Sequence, residues 1–183
     1  YLLPAGYRSV VEARLSKVQE LSQVEREKLS PFNRSVCDAI KEELDAQRGT
    51  SVDLSRTRFR LSEYMKPEFG CGVISEIRRT DPSLLDLNIG FGDWGPGADA
   101  GPTSPILGIW KLDLDECLDQ TDFNNRLRAF LRDWLEGRLT LITKYAGKKS
   151  YLWTLMRGNE VLGIRHLWIY PFFAKRRTVS QHT

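Results

Sequence analysis

Glu76, Asp86 and Asp113 are the residues of this chain with the best claim to chemistry. Each stands at a polar position of an alternating apolar/polar run, with Asn88 on one of those runs and Arg58, Arg60 and Lys111 on others. Carboxylates that converge on one side of a sheet can hold Mg²⁺, which activates water and neutralises the charge that develops during phosphodiester hydrolysis. On that reading the chain is a metal-dependent nuclease or other phosphodiester hydrolase, with these three acids as ligands and a nearby Arg or Lys assisting. The local order is unfavourable, because neither Asp86-Leu87-Asn88 nor Lys111-Leu112-Asp113 reproduces an acid-x-Lys arrangement. Alternation also demands polar residues on a solvated sheet face, where acids and bases pair with one another for stability alone.

The remaining catalytic signals are weaker. Gly90, Gly92 and Gly95 spell G-x-G-x-x-G after an alternating run, but a dinucleotide-binding turn must open a helix whose N-terminus meets the pyrophosphate. Pro96, Gly97, Gly101, Pro102 and Pro105 deny it that helix. The acidic segment from Asp113 to Asp119 fails as a calcium loop, because Leu118 occupies the position that needs Gly and Asn124 the position that needs Glu. Gly147-Lys148-Lys149-Ser150 lacks the earlier glycine of a phosphate-binding loop, since Ile142 stands there, and it reads as a hairpin turn. His166 reads as a packed histidine in a strand and His182 as part of a frayed end, so general-base catalysis has little to draw on.

Binding has more support than catalysis. The stretch from Gly90 to Pro105 reads as a long connection between two strands, and ordered loops of that length are commonly functional. Within it Trp94 is a candidate partner anchor, with Asp93 and Asp99 beside it. At the other end of the chain, Phe172 and Phe173 precede Lys175, Arg176 and Arg177, a pairing of aromatics and cations that suits bases and phosphates. Arg58, Arg60, Arg78 and Arg79 could extend that basic surface.

These residues need elements to position them. Val11, Leu15, Val18 and Leu21 recur at helical spacing, predicting a helix from Gly6 to Leu29. Ser30-Pro31 opens a second helix, with Phe32, Val36, Ile40 and Leu44 on one stripe and Gly49 at its end. The period then changes to two, predicting strands over Thr57–Tyr64, Gly72–Arg79, Leu85–Phe91 and Ile106–Leu114. A helix follows from Asp122 to Glu136, capped by Thr121 and stopped at Gly137. Three strands, Leu139–Tyr145, Ser150–Met156 and Val161–Tyr170, close the pattern through short turns at Gly147 and Gly158, which favours an antiparallel meander.

With 183 residues, 41% hydrophobic and 28% charged, the chain has the composition of one globular domain. It divides into a helical lobe over 1–49, a β-rich body with one helix over 50–173, and a basic, flexible tail over 174–183. The net charge of +3 permits an anionic partner without demanding one. Cys37, Cys71 and Cys117 are odd in number and widely spaced, which suits neither a disulfide framework nor a zinc site and points to a reducing, cytoplasmic or nuclear location. Charges interrupt every apolar run, so no membrane helix is expected. The start at Tyr1 rather than Met suits a trimmed chain or an excised domain.

The expected fold is α+β, a mostly antiparallel sheet of about seven strands with an N-terminal helical hairpin and one further helix. The expected function is a non-catalytic binding or regulatory module for a protein or nucleic acid, needing no cofactor. The hydrolase using Glu76, Asp86 and Asp113 with Mg²⁺ is the alternative.

Overall fold

The computed structural model describes residues 18–47, 52–62, 71–92, 97–102, 108–166 and 176–183. Within them the fold is α+β, with nine strands in two antiparallel sheets and three helices. The first sheet runs in sequence order: β1 (Arg58–Leu61), β2 (Gly72–Ile77), β3 (Leu87–Gly92), β4 (Gly97–Gly101) and β5 (Trp110–Asp113). The second contains β6 (Leu139–Ala146), β7 (Lys149–Arg157), β8 (Glu160–His166) and β9 (Arg176–His182), in the order β8-β7-β6-β9. The single sheet expected from the alternating runs is therefore divided in two, at the point where a helix separates β5 from β6.

Helix α1 (Gln23–Glu27) is short, α2 spans Pro31–Ala46, and α3 spans Gln120–Leu135. Ser30 caps α2 as expected, its Oγ accepting from the Asn33 amide at 3.2 Å, with Pro31 in the first helical turn. The helix expected from Gly6 to Leu29 is not continuous. Positions 6–17 lie outside the described residues, as does Gly49. Gln19 is extended beside β1, donating to the Thr57 carbonyl and accepting from the Phe59 amide. Among the described residues helix begins after Ser22, whose hydroxyl and amide form a capping box with Glu25.

Among the described residues a helical pairing joins elements distant in sequence, α2 and α3. Phe32 meets Phe123 edge-on with ring centroids 5.2 Å apart. Arg132 holds Glu43 through two hydrogen bonds, Nε to Oε1 at 3.0 Å and Nη2 to Oε2 at 2.9 Å. Both helices contribute to one core with the first sheet: Val36, Ile40 and Leu44 from α2, Phe123, Leu127 and Leu131 from α3, and Val73, Ile77, Leu87, Ile89 and Phe91 from the strands. Trp110 of β5 stacks on Phe130 of α3, ring centroids 4.0 Å apart.

Two expectations at the ends of elements change. Asp119, not Thr121, caps α3, because the Asp119 carboxylate accepts from the Asp122 amide at 2.8 Å. The stretch expected as a long connection contains a strand, β4, paired from Gly97 with Gly92 to Gly101 with Asn88. Its Gly and Ala residues are poor strand formers taken alone, and pairing on both sides, with β3 and β5, outweighs that propensity.

The basic end is also corrected. Residues 176–182 form β9 and pair with β6 from His182 opposite Thr140 to Arg176 opposite Ala146, so this segment is a sheet edge rather than a loose tail. Thr183 is buried, its hydroxyl donating to the Trp134 carbonyl at 3.0 Å. No described helix is long and apolar enough to cross a membrane.

Candidate functional site

Glu76 is the centre of the most highly charged cluster. Register places it opposite Arg58 of β1 and Asn88 of β3, so all three side chains share the polar face of the first sheet. Arg58 Nε donates to its Oε2 at 2.9 Å, Arg60 Nε to its Oε1 at 2.6 Å, and Arg78 Nη2 to its Oε2 at 3.0 Å. Burial alone would raise the pKa of this carboxyl, but the hydrogen bonds from Arg60 and Arg58, with the charges of Arg58 and Arg78, hold it down at about 2. Near pH 7 it is an ionised anchor for three guanidinium groups, with both oxygens occupied.

Asp86 lies at the edge of the same cluster. Its Oδ1 accepts from the Arg79 amide at 2.8 Å, and its Oδ2 lies 3.4 Å from Arg78 Nη1. Arg78 thus bridges Glu76 and Asp86, and it also reaches Asn88 Oδ1 at 3.4 Å. Two of the three candidate ligands are therefore close, but an arginine stands between them.

Asp113 is far from both. It pairs in register with Gly97, in the cross-strand row of Gly92 and Gly72, whereas Glu76 belongs to the row of Asn88 and Gly101. Those rows are four positions apart along β2, and three strand spacings separate β2 from β5. Ordinary strand dimensions make this about 13 Å along the strands and about 14 Å across them. Asp113 pairs instead with Lys111, Nζ to Oδ2 at 2.8 Å. Among the described residues no group of three His, Cys, Asp or Glu is placed to hold a metal ion.

The partner-binding candidates fall in different places. Asp99 is on β4 opposite Lys111 and Gly90. Burial pushes its carboxyl above the ordinary range; Lys111 and Arg165 act against that shift and Asp113 adds to it. Asp93 and Trp94 lie in 93–96, outside the described residues, between Gly92 and Gly97, which pair with each other. Lys175 is likewise outside them, and Arg176 begins β9. Arg177 is exposed on that strand, with its guanidinium carbon 4.5 Å from the ring centroid of Tyr145.

The second sheet contributes a surface that the alternating pattern of its strands does not single out. Its inner face carries Leu141 and Leu155, both buried, in register with Gly163. The opposite face carries the row Ser180, Ile142, Thr154 and Ile164 across all four strands. Ile164 is 61% exposed and Val161, on the same strand, 50% exposed. Among the described residues β8 pairs with β7 alone, so these two side chains stand on a sheet edge. The sequence signal was present in the run Glu160-Val161-Leu162-Gly163-Ile164, but the period of two does not say which face is covered.

Cys37 is buried in α2, and burial pushes its pKa up to about 12, so it is a neutral thiol near pH 7. No family model matches the chain, and neither the curated proteins nor the solved structures yield a match.

Proposed function

We propose that the protein is a non-catalytic binding or regulatory module that engages a protein partner through the outer face and β8 edge of the four-stranded sheet. The observation that supports this reading is the exposure of Ile164 and Val161 on an edge strand. Two half-exposed β-branched residues on the same face of one strand, brought there by the register shift at Leu155/Met156, leave apolar surface in water, and covering it stabilises a complex by roughly 25 cal/mol for each Å² removed from solvent. The half-buried Ile142, Leu152 and Met156 extend the same face inward from that edge.

Charge favours a protein over a nucleic acid here. The outer-face positions of β6 and β7 include Thr140, Ile142, Leu152, Thr154 and Met156 against one cation, Lys144. A phosphate backbone asks for several Lys or Arg on one surface. The hydrolase reading is disfavoured by the separation of Asp113 from Glu76 and by the three arginines that occupy Glu76.

The test is site-specific photo-crosslinking from position 164 in cells, followed by affinity measurement with the identified protein. A single crosslinked species is expected, together with at least tenfold weaker binding by the Val161→Asp, Ile164→Asp double variant while its thermal midpoint stays near the parent's. Equal binding by parent and variant would overturn the proposal. So would Mg²⁺-dependent cleavage of DNA or RNA by the purified protein that Asp86→Ala abolishes, which would restore the hydrolase.

A further inference from the structure

A cleft of ≈ 480 Å³ opens at the end of β2, away from the exposed face of the second sheet. Its position follows from backbone pairing. Val52 bridges to Arg79, and the Asp53 amide donates to the Arg78 carbonyl at 2.8 Å, so the turn over 53–56 lies against the residues that follow β2. Asp53 closes that turn by accepting from the Ser55 and Arg56 amides, which fixes Arg56 at its end. On the other side, Asn88 Nδ2 donates to the Pro102 carbonyl at 3.0 Å and brings the end of β4 to the rim. The cleft is thus bounded by Arg56 and Arg79, with Pro82, Leu84 and Pro102 as apolar walls and Asp86 at one side.

The two arginines differ from most others in this molecule. Arg26, Arg58, Arg60, Arg78, Arg126, Arg128, Arg132, Arg138 and Arg157 each pair with a carboxylate. Arg79 is only 4% exposed, and among the described residues its guanidinium donates through Nη1 to the Trp134 carbonyl at 3.3 Å. Its Nε makes no hydrogen bond at all. A buried donor without a partner is costly and calls for an explanation, which a ligand oxygen would supply. Burial lowers the pKa of Arg79, with the charges of Asp86 and Asp81 opposing. Asp81 is itself engaged, accepting from the Ser83 amide and hydroxyl, and Asp86 accepts from the Arg79 amide and from Arg78.

We propose that this cleft binds a small organic phosphate monoester, its phosphate held between Arg56 and Arg79 and its apolar body against Pro82, Leu84 and Pro102. The planar forks of the two guanidinium groups suit phosphate oxygens, while the Asp86 carboxylate at the side of the cleft is already engaged by the Arg79 amide and by Arg78. The volume is that of a small-molecule site, and its lining is divided between apolar residues, Pro82, Leu84, Leu85 and Pro102, and polar ones, Arg56, Arg79, Thr80 and Asp86, that orient a ligand.

Phenyl phosphate is the probe, followed by calorimetry and by amide chemical shifts. Binding is expected in the millimolar range or tighter, at least tenfold stronger than inorganic phosphate or phenol alone, with amide shifts centred on the non-proline residues of 79–86 and on Gly101 beside Pro102. Arg56→Gln, at an exposed position that leaves the core intact, is expected to weaken it at least tenfold, and Arg79→Lys more. Lys111→Gln, distant on β5, serves as the control and leaves binding unchanged. If phenyl phosphate binds no better than inorganic phosphate, or if Arg56→Gln binds it as well as the parent, the site is overturned. Neither outcome touches the partner surface on β8.

Discussion

Buried acid in this protein is consistently matched by arginine. Glu43, Glu76 and Asp133 are all less than a tenth exposed, and each is held by at least one guanidinium: Arg132 on Glu43, Arg58, Arg60 and Arg78 on Glu76, Arg138 and Arg157 on Asp133. Removing one member of such a cluster leaves like charges facing one another with no counter-ion, which is more damaging than never having had the pair. Glu76→Gln is therefore expected to destabilise the fold by about 2 to 3 kcal/mol in urea titrations near pH 7. The pH dependence has a definite sign. A Glu carboxyl titrates near 4.3 in the unfolded chain, roughly, and at about 2 in the fold, so the unfolded state takes up the proton first as pH falls. The stabilisation is complete above about pH 4.3 and is lost as pH falls toward 2, amounting to about 3 kcal/mol. The Glu76→Gln protein should show a shallower loss across that window, and parallel curves for the two proteins would contradict this assignment.

At the scale of elements, helix starts illustrate what short-range chemistry can and cannot specify. Ser30 with Pro31 leaves one good register for α2, and the helix begins there. Before α3, Asp119, Thr121 and Asp122 all have capping chemistry, and a local reading favours the one nearest the apolar stripe. The structure chooses Asp119, because Asp122 then reaches back to accept from the Leu118 amide at 3.1 Å and pairs with Arg126 one turn on. Asp119→Ala should accordingly lower stability by about 1 kcal/mol, whereas Thr121→Ala should change it by no more than a few tenths. Equal effects in thermal melts would reassign the cap. The strand β4 was hidden for a related reason. Gly97, Ala98, Ala100 and Gly101 carry almost no local preference for extended structure, and their conformation comes from strands on either side.

At the scale of the whole molecule, the two sheets meet where a glycine admits it. A Cβ built on Gly163 of β8 would stand 1.9 Å from the Ile109 carbonyl oxygen and 3.4 Å from the Trp110 Cα, so backbone packs on backbone at this crossing. Gly163→Ala must push β8 away from β5, and a cost of about 2 kcal/mol or more is expected from overpacking. Gly158, at φ 56° in the β7–β8 turn, has open space around its Cβ position, so Gly158→Ala meets conformational strain alone, about 1 kcal/mol. Comparing the two by urea unfolding separates inter-sheet contact from turn geometry, and equal losses would argue that β8 does not bear on β5.

The residues themselves determined the α+β class, the antiparallel habit, the Ser30 start of α2, and the turns at Gly147 and Gly158, since each depends on periodicity or on neighbours a few positions away. They also ruled out the dinucleotide reading of Gly90, Gly92 and Gly95, whose surroundings form strands β3 and β4. Tertiary structure decided the rest. Whether Glu76, Asp86 and Asp113 converge depends on strand order and register across β2 to β5, which alternation leaves open because every polar position on a face looks alike. Pairing at long range likewise made the basic end a strand on β6, left Ile164 exposed on an edge strand, and brought Arg56 and Arg79 to the lining of one cleft.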